Sequence, residues 1–348
     1  MKIDIHAHIL PSDWPNLRER YGYSGWMQLD VKDGCGRMMK DTEFFRAVDP
    51  NLWDPATRLV ESDADRVDIQ VLSTVPVMFS YWAEPEDTLD LSRFLNDHIH
   101  GVVARYPKRF IGLGTVPMQA PELAAKEIER CMKELGLAGI EIGTHVNNIN
   151  LDHEMFEPIW ETAEKTGAAV LVHPWDMMGF EQLRKYWMPW LVSMPAETSR
   201  AICSLLMGGV LERDPDLRLA FAHGGGSFPA TLGRINHGFD VRPDLCQIET
   251  TTQPGDFVHK LYFDSLVHDE LALKFLVDRI GADRLALGTD YPFPLGEHRP
   301  GKLVEEAALP ASVKERILSG TALEWLGRHR VDYETEASLS HSQSLLQR

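Results

Sequence analysis

Short apolar segments recur along the chain, and most of them are rich in β-branched residues. The eight segments are IDIHAHI from Ile3, VDIQVLSTV from Val67, FIGLGTVP from Phe110, LAGIEIGTH from Leu137, AAVLVHP from Ala168, LRLAFAHGGG from Leu217, LYFDSLVH from Leu261 and LALGTDYPF from Leu285. Near-continuous apolar runs of this length are typical of parallel strands that are covered on both faces. We therefore predict eight parallel strands.

Amphipathic helical patterns separate most of these predicted strands. Asp54 and Pro55 are a typical N-cap and first-turn pair, and they predict a helix that runs to about Asp65. A second predicted helix begins at Pro121 and ends before Gly136. Further helices are predicted for residues 86–105, 197–213, 269–280 and 310–326. Strands that alternate with helices form βαβ units, and eight such units favour a closed α/β fold, the (β/α)8 TIM-type barrel. The first strand is not followed by a G-x-G-x-x-G motif, which disfavours a dinucleotide site.

Two long segments interrupt this alternation. Residues 11–53 contain a Gly-rich stretch and predict a small β-containing insertion after the first strand, whereas residues 174–196 are dense in Trp and Met. Loops of this length usually form lids or binding walls. A barrel of this type needs about 250 residues, so we expect a single domain over residues 1–330. The polar, Ser-rich residues 331–348 are expected to form a disordered tail.

Composition and charge narrow the classes of partner. The formal net charge of −17 disfavours nucleic acid and anionic membranes, because both bind clustered positive charge. A small anionic substrate stays compatible, since two local arginines outweigh a distant surface field. The chain lacks an apolar run long enough to cross a bilayer, and its N-terminal segment is too polar for a secretory signal, so a cytoplasmic location is expected.

Metal-binding residue types fall at the predicted carboxyl ends of several strands, where barrel enzymes carry their chemistry. His6 and His8 are two residues apart on the first strand, so both side chains face the barrel interior. His173 ends the fifth strand and Asp290 ends the eighth. A single histidine in a strand is more often an ordinary core residue, but this combination favours one metal site. Three imidazoles and a carboxylate suit zinc, and the set also accepts cobalt, manganese or iron.

His223 lies at the end of the sixth predicted strand and precedes three glycines. Histidine titrates near neutral pH, which suits proton transfer to or from a water at a metal site. The glycine run allows close approach of backbone or substrate. We predict that His223 is the catalytic acid/base; a fifth metal ligand is the alternative.

Four motifs together resemble the amidohydrolase superfamily: IDIHAHI, VHPWDM, FAHGGG and LGTDYPFPLGE. The stretches STVPVMFSYWA, GLGTVPMQAPELA, MPAET and HGFDVRPDLC are similar, more narrowly, to its decarboxylases of tryptophan degradation, the kynurenine pathway. The resemblance covers residues 1 to about 328. It implies a zinc-dependent, non-oxidative decarboxylase with one zinc ion per chain. The implied reaction converts 2-amino-3-carboxymuconate 6-semialdehyde to 2-aminomuconate 6-semialdehyde and carbon dioxide.

The resemblance also implies a role for each matching residue. The metal ligands of the family match His6, His8, His173 and Asp290, and its acid/base histidine matches His223. The arginines that bind the substrate carboxylate match Arg46 and Arg234. The family is homodimeric and its second arginine enters the neighbouring active site, so Arg234 is expected to act in trans or, as the alternative, in cis. Residues near the pocket of the family match Trp187, Trp190 and Phe293.

The fourth predicted strand bears on the number of metals. Many hydrolases of the superfamily hold two metals bridged by a modified lysine on this strand, but LAGIEIGTH has no lysine. Glu141 departs from the pattern there and is expected to face away from the ligands or to lie behind them. Three other functions stay open: a lactonase-type hydrolase, a decarboxylase of aromatic acids, and a non-catalytic metal- or metabolite-binding barrel. A complete ligand set together with an acid/base histidine argues against the last.

Overall fold

The computed structural model describes residues 1–333, and its main feature is a sheet of eight parallel strands. In chain order the strands are Ile3–His8, Ile69–Ser73, Phe110–Gly114, Gly139–Gly143, Ala169–His173, Arg218–Phe221, Tyr262–Asp264 and Leu285–Ala286. Each strand pairs in parallel with the next one along the chain. Every one of them lies within one of the eight apolar segments of the sequence.

The first and last strands close this sheet into a barrel. The amide of Ile5 donates to the carbonyl oxygen of Leu287, and the amide of His8 donates to that of Tyr291, both at 2.8 Å. This closure places His8 next to the chain segment that carries Asp290. The predicted (β/α)8 TIM-type fold is therefore confirmed.

Helices connect the strands and cover the outside of the barrel. The longer ones are Pro55–Ala64, Pro85–Arg105, Pro121–Lys133, Glu157–Thr166, Met194–Met207, Phe228–Val241, Glu270–Ile280 and Thr321–Leu326. Shorter helices are Leu17–Tyr21, Val210–Arg213, Pro243–Cys246, Lys302–Glu306 and Ala311–Glu315. The apolar pattern does not predict the helix Phe228–Val241, because its glycines and exposed polar residues weaken the periodicity. The helix predicted over residues 310–326 is present, and it passes through a π-helical turn over Arg316–Gly320.

The C-terminal helix Thr321–Leu326 closes the amino end of the barrel. It packs into one apolar cluster with buried residues from nearly every barrel strand, among them Ile5 and Leu171. The indole of Trp325 donates to the carbonyl oxygen of Arg218, the first residue of the sixth strand. The opposite, carboxyl end of the barrel is therefore the end at which a ligand enters.

Both long insertions reach the carboxyl end of the barrel. Residues 11–53 form the predicted β structure, an antiparallel sheet of the strands Met27–Lys32, Cys35–Lys40 and Glu43–Val48. Residues 174–196 include a π-helical turn over Pro189–Ser193, near the end of the insertion. Side chains from both insertions line one cavity together with His8 and Asp290.

Among residues 1–333, the helices lack the combination of length and apolarity that a membrane span requires. The single domain over residues 1–330 stays a prediction. Most of the predicted tail, residues 334–348 of the segment 331–348, lies outside the described residues.

Candidate active site

Four side chains, from two barrel strands and the segment that follows the eighth strand, converge at the carboxyl end of the barrel. His6, His8, His173 and Asp290 each offer one ligand atom, and within the described part of the chain these atoms all lie within 4.8 Å of one another. One carboxylate oxygen of Asp290 is 3.1 Å from Nε2 of His8 and 3.6 Å from Nε2 of His6. The parallel strands bring these residues together because their carboxyl ends lie at the same edge of the barrel.

The three histidines of this ligand group are oriented in the same way, with Nδ1 turned towards an oxygen acceptor. The Nδ1 atoms lie 2.7 Å from Asp264 for His6, 2.7 Å from the Thr74 carbonyl for His8 and 3.0 Å from the Pro174 carbonyl for His173. Carbonyl and ionised carboxylate oxygens only accept, so Nδ1 carries the proton and Nε2 keeps a free lone pair. All three Nε2 atoms are buried and have no hydrogen-bond partner among residues 1–333. Three such lone pairs beside a carboxylate fit a divalent metal ion.

The electrostatics of two of the three ligand histidines agree with this fit. The pKa of the third, His8, is raised, because the neighbouring Asp290 and Glu141 carboxyl groups outweigh the effect of burial. Burial lowers the pKa of His6, and burial together with the neighbouring imidazoles lowers the pKa of His173 well below its ordinary value. A metal-binding imidazole must be unprotonated. The site therefore holds these two histidines in the state that a metal requires.

Asp264, the last residue of the seventh strand, joins the ligand group to the loop that follows the sixth strand. Its Oδ2 accepts the His6 hydrogen bond and a second one from the amide of His223 at 2.9 Å, while Oδ1 accepts from the amide of Gly224 at 2.7 Å. Burial acts to raise the pKa of Asp264, but the hydrogen bond from His6, the nearby His223 and the Gly224 amide lower it below its ordinary value. Asp264 is not among the residues predicted from the sequence, although its place at a strand end is the same signal that identifies Asp290.

His223 stands beside the ligand group. Its ring centroid is 5.2 Å from that of His6 and 5.0 Å from that of His173, and its Nε2 is 3.9 Å from Asp290. The His223 side chain is 15% exposed, whereas those of His6 and His8 are fully buried. His223 is therefore next to the ligand group and partly exposed, but it is not one of the four residues of that group.

The glycine run after His223 packs the loop tightly against the barrel. Gly224, Gly225 and Gly226 all have positive φ angles, as does His223 itself at 58°. A Cβ atom on Gly226 would lie 2.3 Å from the carbonyl oxygen of Pro195. The close approach expected from the sequence is thus made by backbone, and it holds His223 beside the ligand group.

The cavity beside the ligand group has an apolar wall and an arginine. Arg46 lines it, with its guanidinium carbon 5.4 Å from the ring centroid of Phe293. Trp187, Trp190 and Phe293 are also in the wall. Further lining residues, not predicted individually from the sequence, are Met38, Phe45, Trp175, Met194 and Leu295. An apolar wall with a guanidinium suits a carboxylate on a flat unsaturated chain.

A strand irregularity brings Arg46 into this wall. Met38 pairs with Arg46 and Met39 pairs with Phe44, so Phe45 is an extra residue in its strand. Successive residues of a regular strand point to opposite faces, but a bulge re-aims one of them. Phe45 and Arg46 therefore both line the cavity.

The two remaining predicted residues lie elsewhere. Arg234 is exposed on the helix Phe228–Val241 and does not line this cavity of its own chain. Glu141 is fully buried behind His8, with Oε1 3.7 Å from its Nδ1, on the side away from the free Nε2. Burial raises the pKa of Glu141 to about 8, so this carboxyl is largely neutral at pH 7. Glu141 is thus outside the ligand group.

Comparison with known proteins agrees with this geometry. The family model described as Amidohydrolase matches residues 3–328. The 2-amino-3-carboxymuconate-6-semialdehyde decarboxylase of Dictyostelium discoideum is 57% identical over 329 residues, which cover 94% of this chain and 92% of that protein. The protein of the same name from Caenorhabditis elegans is 42% identical over 366 residues, covering 90% of this chain and 91% of that one.

A solved structure shares the fold. The 5-carboxyvanillate decarboxylase of Sphingomonas paucimobilis superposes with a TM-score of 0.81 at 24% identity, covering 94% of this chain and 99% of that one. The full-length family match and the identity to the two relatives are decisive for membership. The chain belongs to the amidohydrolase family, in its branch of 2-amino-3-carboxymuconate-6-semialdehyde decarboxylases.

Proposed function

We propose that this protein is a zinc-dependent, non-oxidative decarboxylase of tryptophan degradation, the kynurenine pathway. It converts 2-amino-3-carboxymuconate 6-semialdehyde to 2-aminomuconate 6-semialdehyde and carbon dioxide. The observation that carries the proposal is the four-residue ligand group beside a cavity that contains Arg46. The names of the relatives at 57% and 42% identity support the choice of substrate.

In this proposal His6, His8, His173 and Asp290 hold one zinc ion per chain. A bound zinc ion supplies Lewis acidity, which lowers the pKa of a coordinated water and stabilises negative charge on the substrate. Three imidazole nitrogens and one carboxylate match the ligands that zinc prefers, whereas manganese prefers oxygen-rich ligand sets. Reconstitution of stripped protein with zinc, manganese or cobalt distinguishes the metals by the activity each restores.

His223 is the proposed proton carrier. Loss of carbon dioxide leaves an electron pair on the carbon that held the carboxylate, and this carbon must gain a proton. The partly exposed His223 side chain lies beside Asp290, which lines the cavity, and its backbone amide donates to Asp264. In this scheme the imidazole takes a proton from water and delivers it to that carbon. The atoms balance as carboxylate plus proton giving carbon dioxide and a C–H bond, without a redox change.

Arg46 is the proposed anchor for a substrate carboxylate. Its planar guanidinium donates two parallel hydrogen bonds to a carboxylate. Trp187, Trp190 and Phe293 flank the flat substrate in this scheme. The exposed position of Arg234 supports a homodimer in which this arginine binds substrate in the partner's active site. The proposal includes the cytoplasmic location expected from the sequence, which cell fractionation checks.

The first experiment measures carbon dioxide release. Zinc-reconstituted protein is incubated under nitrogen with freshly generated 2-amino-3-carboxymuconate 6-semialdehyde, and carbon dioxide and the substrate chromophore are followed. We expect rapid release that depends on metal and not on oxygen. His223→Ala is expected to keep zinc and to lose turnover by a factor of at least about 100. Chromophore loss no faster than in buffer, with zinc confirmed as bound, would exclude this substrate and favour a hydrolase or another carboxylate.

A mixing experiment tests whether Arg234 acts in trans. Chains with Arg234→Ala and chains with His223→Ala are each expected to be inactive. In a mixed dimer, the site with an intact His223 receives an intact Arg234 from its partner, so one of the two sites regains activity. Purified mixed dimers that stay inactive would favour action in cis.

A further inference from the structure

Arg58, on the helix Pro55–Ala64, is a fully buried cation to which the proposed function gives no role. An arginine side chain is always charged in a protein, and burying it is unfavourable unless its surroundings compensate. Over residues 1–333 its hydrogen bonds go to two carbonyls and one side-chain amide, and its Nη2 has no partner. Burying a cation without a directly bonded carboxylate is unfavourable, so the presence of Arg58 here indicates that the structure requires its hydrogen bonds.

The hydrogen bonds of Arg58 join three separate elements. Nη1 donates to the carbonyl oxygen of His8 at 2.7 Å and to that of Asn51 at 2.9 Å. Nε donates to Oε1 of Gln70 at 3.2 Å. The first acceptor ends the first barrel strand, the second lies where the insertion carrying Arg46 returns, and the third is on the second barrel strand. One guanidinium thus ties the return of the insertion to the barrel.

The face of the same guanidinium lies over the ring of Tyr291, with 4.6 Å between its carbon and the ring centroid. Tyr291 directly follows Asp290, and its carbonyl oxygen accepts the amide of His8 at 2.8 Å. Arg58 therefore contacts both sides of the seam that closes the barrel. The 3.1 Å approach of His8 Nε2 to Asp290 spans this same seam.

We propose that Arg58 is a positioning residue that sets the spacing of His8 and Asp290 and thereby the affinity of the site for its metal. Arg58 acts through the backbone of one ligand and through the residue after the other, and it touches neither ligand atom. This inference rests on the proposed metal site. Removal of partners that orient metal ligands typically weakens metal binding by about 10-fold to 100-fold.

The test is metal affinity measured without turnover. Metal-free wild type, Arg58→Lys and Arg58→Met are titrated with zinc in competition with a chromophoric chelator, and their folding is checked by urea unfolding. We expect folded Arg58→Lys to bind zinc at least about 10-fold more weakly than wild type. Arg130→Met is the matched control, because Arg130 bonds the buried Glu127 on a helix away from the site. This control is expected to lose stability and to keep wild-type zinc affinity, which separates positioning from general destabilisation.

A second pair of variants covers the case in which Arg58 variants do not fold. Tyr291→Phe keeps the ring under the guanidinium and is expected to keep zinc affinity, whereas Tyr291→Leu removes the ring and is expected to weaken binding several-fold. Wild-type affinity in folded Arg58→Lys, or in Tyr291→Leu if no Arg58 variant folds, would overturn the inference. A wild-type protein that binds no zinc, manganese or cobalt would instead overturn the metal site of the proposed function, and this inference with it.

Discussion

Nδ1 of His6 and Oδ2 of Asp264 share a 2.7 Å hydrogen bond that joins the first barrel strand to the seventh. The same carboxylate accepts the amides of His223 and Gly224. One buried side chain therefore orients a metal-ligand candidate and the loop of the proposed acid/base. A carboxylate bonded to a ligand histidine fixes its tautomer and raises its basicity.

Asp264→Asn tests this relationship. The asparagine accepts more weakly and offers N–H donors of its own, so it no longer enforces the His6 tautomer. We expect zinc affinity to fall by about 10-fold to 100-fold and turnover to fall with it. Chelator competition measures the affinity, and Asp244→Asn, an exposed aspartate paired with Arg242, serves as the control. Equal zinc affinity in Asp264→Asn and wild type would contradict the assignment.

Arg46→Met is expected to weaken substrate binding and to leave zinc content unchanged. A hydrogen bond to a charged group contributes about 1.5–3 kcal/mol, so kcat/KM is expected to fall by roughly 10-fold to 100-fold. Arg46→Lys is expected to lose less, because it keeps the charge but not the planar fork. Steady-state kinetics with metal analysis provide the measurement. Arg37→Met is a matched control, since Arg37 is exposed on the neighbouring hairpin strand and lies over the Phe44 ring. A normal kcat/KM in Arg46→Met would remove Arg46 from the substrate site.

Gly226→Ala is expected to destabilise the fold by about 3 kcal/mol and to displace His223. Gly226 has a φ of 62°, and its added Cβ would meet the carbonyl oxygen of Pro195 at 2.3 Å. Urea unfolding measures the change. Gly233→Ala lies in the following helix, where a Cβ meets no atom within 4 Å, and it is expected to stabilise slightly. Similar effects of the two substitutions would argue against a tightly packed loop.

His98 predicts a specific acid sensitivity. Burial lowers the pKa of His98 to about 4, and its Nε2 has no hydrogen-bond partner in the described part of the chain. The unfolded chain, with a histidine pKa of about 6.5, binds more protons between these two values. The stabilisation from neutral His98 is therefore complete above pH 6.5 and is lost as the pH falls towards 4, by about 1–3 kcal/mol.

His98→Gln is expected to remove this part of the pH dependence. Urea unfolding of metal-free protein at pH 7 and at pH 4.5 provides the measurement, because it avoids the separate effect of metal release. His259→Gln, at an exposed histidine, is expected to keep the wild-type pH dependence. An unchanged loss of stability between the two pH values in His98→Gln would show that other groups are responsible.

Metal removal is expected to lower the thermal midpoint. The ligand residues come from the first strand, the fifth strand and the segment after the eighth strand. These parts of the chain meet only in the fold, so zinc binds the folded chain and not the unfolded one. With free zinc at about 1,000 times its dissociation constant, the free energy of unfolding is expected to rise by about 4 kcal/mol. Calorimetry with chelator, then with zinc restored, checks this. Identical midpoints would indicate that the group does not bind zinc under these conditions.

Much of this protein was determined by local patterns in the sequence. Eight apolar segments, most of them separated by helical patterns, predicted the barrel. This was possible because the spacing of apolar residues in a strand or a helix depends only on nearby residues. The spacing of His6 and His8 predicted a shared face, and strand ends predicted that His173 and Asp290 would join them. The structure brings all four together.

Tertiary structure alone decided the contacts that orient these groups. His6 and Asp264 are 258 residues apart, and their bond depends on the register of two distant strands. The bulge at Phe45 turns Arg46 into the cavity, and barrel closure places Arg58 under His8 and Tyr291. The local periodicity of the sequence does not predict such contacts, because they form only when the sheet closes and fixes which distant side chains meet.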